Sequence, residues 1–221
     1  MTSPAAKALV LDFGGVISKT LFETHRLTET ALDLAPGTLK WRGPFALETD
    51  PLWASMQHGE ISERDYWRTR SREVGRLVGE DWNDMETFVK RARGADPGSV
   101  IRPEADRAIR IAAEAGFKLA ILSNELDLFY GAAFRKKLPL LDRFQAIVDA
   151  TYSSILKPDP RAYQIVLDQL LLDAGSCVFV DDQERNIAGA RACGFQTVHF
   201  DVREPKESYA RALRCLDLEF I

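Results

Sequence analysis

Four short polar clusters stand out because each directly follows an apolar run or opens a helical pattern. They are Asp12 with Phe13-Gly14-Gly15, Ser123-Asn124, Lys157 ahead of Pro158-Asp159-Pro160, and Asp181-Asp182. Two or three carboxylates brought to one place repel, and raise one another's pKa, unless a cation lies between them. A hard divalent ion with oxygen ligands meets that need, and Mg²⁺ suits a site that keeps waters and a substrate phosphate. The backbone amides of Phe13-Gly14-Gly15 and the Ser123 hydroxyl are able to receive the other phosphate oxygens, and Lys157 would balance the remaining charge. Singly, each cluster has a plainer reading: Asp12 as a turn residue, Ser123-Asn124 or Asp181-Asp182 as helix caps, Lys157 as a solvated surface lysine. What favours a shared site is that all four stand at corresponding ends of elements.

Those elements are legible as short continuous apolar runs. Residues 8–11, 117–122, 177–180 and 195–200 each end at a polar cluster, and a weaker run at 146–148 supplies another strand. Between them lie helical patterns at 104–115, closed by Gly116; at about 126–136; at 160–171, opened by Pro160; and at 184–193, closed by Gly194. Strands that are apolar along their whole length and alternate with helices indicate a parallel sheet covered on both faces, a doubly wound α/β fold. Ligands bind outside the carboxyl ends of such strands, where the clusters fall. Residues 18–97 break the rhythm: they hold all four tryptophans (41, 53, 67 and 82) and show no clean strand. A stretch of that length is far too long for a βα loop and predicts a helical insertion with its own small core. The expected organisation is an α/β core of residues 1–17 and 98–221 and a helical domain of 18–97, joined through Ser18–Thr20 and Gly94-Ala95-Asp96-Pro97-Gly98.

Composition bounds the partners. The 221 residues are 46% hydrophobic and 28% charged, with a formal net charge of −4. That excludes disorder and fibrous repeats, and the mild, mixed charge argues against nucleic acid or an anionic membrane as a partner. Cys177, Cys193 and Cys215 show no C-x-x-C spacing and read as buried thiols of a reducing compartment. With no long apolar segment and no secretory leader pattern, a cytoplasmic location is expected. Oligomeric state is not legible.

The clusters, in their order and spacing, resemble the haloacid dehalogenase superfamily across the whole chain. Leu9-Val10-Leu11-Asp12-Phe13-Gly14-Gly15-Val16 is similar to its first motif, Leu122-Ser123-Asn124 to the second, Lys157-Pro158-Asp159-Pro160 to the third, and Phe179-Val180-Asp181-Asp182-Gln183-Glu184-Arg185-Asn186 to the fourth. The insertion lies where subfamily I members carry a helical cap, and Met56-Gln57-His58-Gly59-Glu60-Ile61-Ser62 with Tyr66-Trp67 looks like a cap segment. The nearest likenesses are the N-terminal phosphatase domain of soluble epoxide hydrolases and bacterial sugar-1-phosphate phosphatases. The resemblance implies a Mg²⁺-dependent phosphatase for a small phosphorylated metabolite, with a sugar phosphate as the expected substrate. Asp12 would be the nucleophile, with Ser123 and Lys157 acting on the phosphoryl group and Asn124 orienting phosphate or substrate. The ion would be held by Asp12, the Gly14 carbonyl and Asp182, with Asp181 as a further ligand or a support to the others; Asn186 stands where many relatives have another carboxylate.

One departure matters. Most phosphatases of the superfamily have a second Asp two residues after the nucleophile as general acid and base, a contribution of about 10²–10⁴-fold. Here that residue is Gly14. Three explanations stay open: an intrinsically good leaving group, a proton donor from the cap such as Glu23 or His25, or lost turnover. His58 and His199 read as structural. Two other functions follow from the same residues. A 2-haloacid dehalogenase uses the same nucleophile without metal, but it has uncharged residues where Asp181-Asp182 stand here. A non-catalytic module binding a phosphorylated ligand or partner is favoured only by Gly14.

Overall fold

The computed structural model describes residues 5–93 and 97–220; residues 94–96 of the second expected linker lie outside them. The strands are β1 (Ala8–Leu11), β2 (Lys118–Ser123), β3 (Ala146–Asp149), β4 (Cys177–Asp181) and β5 (Gln196–His199). The helices are α1 (His25–Ala31), α2 (Pro51–Gln57), α3 (Glu63–Leu77), α4 (Met85–Arg93), α5 (Pro103–Glu114), α6 (Leu126–Tyr130), α7 (Ala132–Arg135), α8 (Pro160–Leu170), α9 (Glu184–Ala192) and α10 (Pro205–Arg214). All five strands are parallel in the order β3-β2-β1-β4-β5. β1, β4 and nearly all of β2 are buried, which is why they read as unbroken apolar runs.

α5, α8 and α9 lie within a residue at each end of the helices expected over 104–115, 160–171 and 184–193. α5, α8 and α10 open with proline in the first turn, where its missing N–H removes no helical bond. Gly116 and Gly194 follow α5 and α9 with φ of +84° and +91°, a conformation that costs glycine little. The helix expected over about 126–136 is instead two short pieces, because Gly131 between them has φ +76° and interrupts the helical ladder. α10 was not among the expected helices.

The chain divides into two compact units: one holds residues up to Lys19, Ile101–Asp127 and Arg135 onward, the other Thr20–Val100 and Leu128–Phe134. The second unit thus also takes in 128–134, far from the insertion in sequence, because Phe129 and Tyr130 pack on its core, Phe129 edge-on to Trp67 at 6.0 Å. All four tryptophans are buried in that unit, so Trp41, Trp53 and Trp67, with Tyr66, are core residues rather than an open aromatic surface. A buried carboxylate organises them. Asp50 accepts hydrogen bonds from the Trp53 amide (2.9 Å), the Gly43 amide (3.2 Å), the Tyr66 hydroxyl (2.6 Å) and Arg70, whose guanidinium lies over the rings of Trp41 and Tyr66.

The cysteines form no disulfide. Cys177 is buried in β4, but Cys193 and Cys215, expected to be buried, are only partly covered because both sit at helix C-termini. Among the described residues no helix is long and apolar enough to cross a membrane.

Candidate active site

The strand order has a switch point. From β1 the chain builds outward through β2 to β3, then crosses back to place β4 on the other side of β1. The loops leaving β1 and β4 therefore diverge and open a crevice at their carboxyl ends. Register decides what meets there: Leu11 pairs with Val180, so Asp12 is level with Asp181. Leu11 also pairs with Ile121, which places Ser123 one residue further along on the other flank.

Lys157 reaches this point from the loop before α8. Its Nζ donates to Asp12 Oδ1 (2.8 Å) and to Asp181 Oδ2 (2.6 Å). Burial works against the ammonium, but the two carboxylates outweigh it and push its pKa up, so it remains a cation. Asp181 is enclosed: its other oxygen accepts from the Gln183 amide (2.8 Å), and the Asn186 amide group lies 3.1 Å from both oxygens. Asp182 is half-buried, and one carboxylate oxygen from each of Asp12, Asp181 and Asp182 lies within 4.8 Å of the others. The three carboxylates bring hard oxygen donors close together. The residues present therefore fit a divalent cation such as Mg²⁺.

The other expected site residues are placed as follows. Phe13 buries its ring, Gly14 is exposed, and Gly15 takes φ +77° in a wide turn over Phe13–Ile17, closed by the Ser18 amide donating to the Phe13 carbonyl (2.9 Å). Gly14 itself has φ −69°, and no atom would lie within 4 Å of a Cβ added to it. Ser123 is buried at the end of β2. Asn124 grips the lysine loop: its Oδ1 accepts from the Lys157 amide (2.7 Å) and its Nδ2 donates to the Lys157 carbonyl (3.2 Å).

The two suggested proton donors, Glu23 and His25, both lie in the second unit. Glu23 accepts from both the amide and hydroxyl of Thr20 (2.8 Å each). Burial lowers the pKa of His25 to about 4, so at neutral pH its ring, 4.4 Å from that of Trp41, is uncharged. His58 is exposed; His199 lies beside the acidic cluster and donates from Nε2 to the Asp182 carbonyl (3.1 Å).

Residues not singled out from the sequence support the loops. Arg102 and Tyr209 hold the Phe13–Ile17 turn, and Asp149 at the end of β3 accepts from the Leu126 and Asp127 amides at the start of α6 and from Arg135 (2.6 Å). A polar residue ending the weak 146–148 run was the available signal for Asp149. Arg102 and Tyr209 carry no local signal, since their partners are backbone carbonyls 87 and 193 positions away.

Comparison with known proteins places this arrangement. The family of haloacid dehalogenase-like hydrolases matches residues 6–194. The chain is 32% identical over 199 residues to the plasmid protein CbbY of Cupriavidus necator, covering 87% of this chain and 77% of that protein. It is 30% identical over 200 residues to Phosphatase MT3486 of Mycobacterium tuberculosis (88% and 87%), and 26% identical over 214 residues to the (S)-2-haloacid dehalogenase of Xanthobacter autotrophicus (94% and 79%). The solved structure of the L-2-haloacid dehalogenase from Xanthobacter autotrophicus shares the fold, with a TM-score of 0.57 at 23% identity over 88% of this chain and 77% of that one. With its four clusters gathered at the switch point of a five-stranded parallel sheet, the chain belongs to the haloacid dehalogenase-like hydrolases.

Proposed function

We propose that this hydrolase is a Mg²⁺-dependent phosphatase of a small phosphorylated metabolite, with a sugar phosphate as the expected substrate. The observation that carries the reading is the triad of carboxylates, Asp12, Asp181 and Asp182, with the Lys157 ammonium between the first two. A metal-independent dehalogenase acting on a carboxylate-bearing substrate would gain nothing from two further carboxylates beside its nucleophile. Asp12, Asp182 and the Gly14 carbonyl are the groups to hold the ion, while Asp181 is already occupied by Lys157, Gln183 and Asn186. The cation, when bound, neutralises charge on the phosphoryl oxygens and lets an anion approach a carboxylate.

An Asp12 oxygen attacks phosphorus in line. The bond from phosphorus to the leaving oxygen breaks with its electron pair, leaving an aspartyl-phosphate. Water then attacks phosphorus, releasing inorganic phosphate and the Asp12 carboxylate. Ser123 and the Phe13-Gly14-Gly15 amides hold phosphoryl oxygens, and Lys157 offsets charge as it moves from nucleophile to phosphate. Asn124 sets the position of Lys157 by clasping its main chain. Asp12→Asn is expected to abolish phosphate release from a sugar-phosphate panel with Mg²⁺ while the circular dichroism spectrum stays unchanged; phosphate release by that variant would refute the mechanism.

The dehalogenase relatives favour a second reading. Halide release from 2-chloropropionate in EDTA would establish it and displace the phosphatase reading.

A further inference from the structure

We infer that Arg102 and Tyr209 are positioning residues for Asp12, acting through the turn that follows it; only the kinetic arm of this inference rests on the phosphatase reading. The turn contains two adjacent glycines, Gly14 and Gly15, and by itself has little to hold one conformation. Three successive carbonyls in it are nonetheless held by groups from elsewhere in the same unit. Gly15 accepts from Arg102 Nε (3.0 Å), Val16 from the Tyr209 hydroxyl (3.0 Å) and Ile17 from the Arg102 amide (3.0 Å). Both donors are buried, Arg102 to 2% exposure and Tyr209 fully.

The donors are themselves braced by one ring. The Arg102 guanidinium lies 5.7 Å above the centre of Phe200, and Tyr209 packs edge-on to the same ring at 5.1 Å. Arg102 immediately precedes α5, and Tyr209 lies in α10. Two helices on the core thus converge on the backbone of residues 15–17, and Asp12 stands at the other end of that short turn. A hydrogen bond from a buried charged donor is stronger than a neutral one in water, and a nucleophile displaced by about 1 Å loses on the order of 10²-fold in rate.

Tyr209→Phe removes the hydroxyl and keeps the ring; Arg102→Lys keeps the charge and removes the Nε donor; Arg102→Met removes both. Two measurements are made on each full-length variant: kcat and KM for p-nitrophenyl phosphate with Mg²⁺, and amide hydrogen exchange in the peptide covering residues 9–20, which needs neither substrate nor metal. The expected result is a kcat lowered about 10-fold by Tyr209→Phe and about 100-fold by Arg102→Met, Arg102→Lys falling between, with KM within about twofold of the parent. Exchange at residues 14–18 is expected to rise at least about tenfold, while a peptide covering β4 is unaffected. Unchanged exchange in the turn, or a lowered Tm with kcat preserved, would overturn the inference, since a purely structural role changes stability alone. Should the parent protein release no phosphate, the phosphatase reading fails and the exchange measurement still decides whether these residues hold the turn.

Discussion

Gly189 offers a test of whether packing far from the acidic cluster sets its geometry. It lies in α9 where that helix presses on the lysine loop: an added methyl group would sit 2.7 Å from Pro158 Cβ, 2.9 Å from the Tyr163 hydroxyl and 3.1 Å from the Pro158 carbonyl oxygen. Carbon atoms in contact rest at about 3.5–4.0 Å, so Gly189→Ala must open this seam by about 1 Å. Overpacking of this kind costs about 1–3 kcal/mol, of which the better helix propensity of alanine offsets about 1 kcal/mol. At roughly 2–4 °C per kcal/mol for a chain of this size, the net loss of up to about 2 kcal/mol lowers Tm by no more than roughly 8 °C. The variant stays about 99% folded at 25 °C even from the low end of ordinary stabilities. The residue pushed adjoins Lys157, whose Nζ bonds at 2.8 and 2.6 Å leave no room for a 1 Å displacement. A misplacement of that size corresponds to about 100-fold in rate, or roughly 2.7 kcal/mol of barrier. The assay is phosphate release with Mg²⁺ at 25 °C beside a thermal melt. A variant with the expected drop in Tm but kcat/KM within twofold of the parent would refute the reasoning, because the seam would then yield without moving Lys157.

Three further outcomes are expected. Gly14→Asp meets no neighbour within 4 Å and needs no positive φ, so it should change stability by less than about 0.5 kcal/mol and raise turnover of simple alkyl phosphates relative to aryl phosphates by about 10²–10⁴-fold; a relative rate that stays flat removes Gly14 as the cause of any weakness toward alkyl esters. Mg²⁺ at about 100 times its Kd should stabilise the protein by about 2.7 kcal/mol, a Tm rise of roughly 5–10 °C that EDTA reverses and Asp182→Asn removes, read by differential scanning fluorimetry. His25, with a folded pKa of about 4 against 6.5 in the unfolded chain, stays neutral in the fold while the unfolded chain takes up its proton. Stability should therefore fall as pH drops from 6.5 toward 4 and level off below; urea titrations of the parent and of His25→Asn should differ in that window and run parallel above it.

Much of the core was legible because parallel strands buried on both faces leave continuous runs such as Ala8-Leu9-Val10-Leu11, each stopping at a polar residue. The acidic cluster followed from topology, since Asp12 and Asp181-Asp182 each end a strand beside the switch point. What stayed hidden depends on partners remote in sequence. Nothing near Asn124 announces that its amide closes on the main chain of Lys157, and Tyr209 looks like any aromatic on an amphipathic helix until its hydroxyl meets Val16. The missed break at Gly131 was local, and a glycine within a helical pattern was the signal for it.

The sheet order also bears on how the protein is made. β1 comes from the first dozen residues, yet its neighbour β4 begins at Cys177, and the ion pair between Asp12 and Lys157 spans 145 positions. During synthesis from the N-terminus, β1, which belongs at the centre of the sheet, emerges before β2 and β4 and waits for both before its two edges are covered. Contacts this distant in sequence make for slow folding, and unpaired strand edges invite association with other chains. The nascent chain therefore carries β1 with an uncovered edge until β4 docks, and its acidic cluster comes into being only at that step.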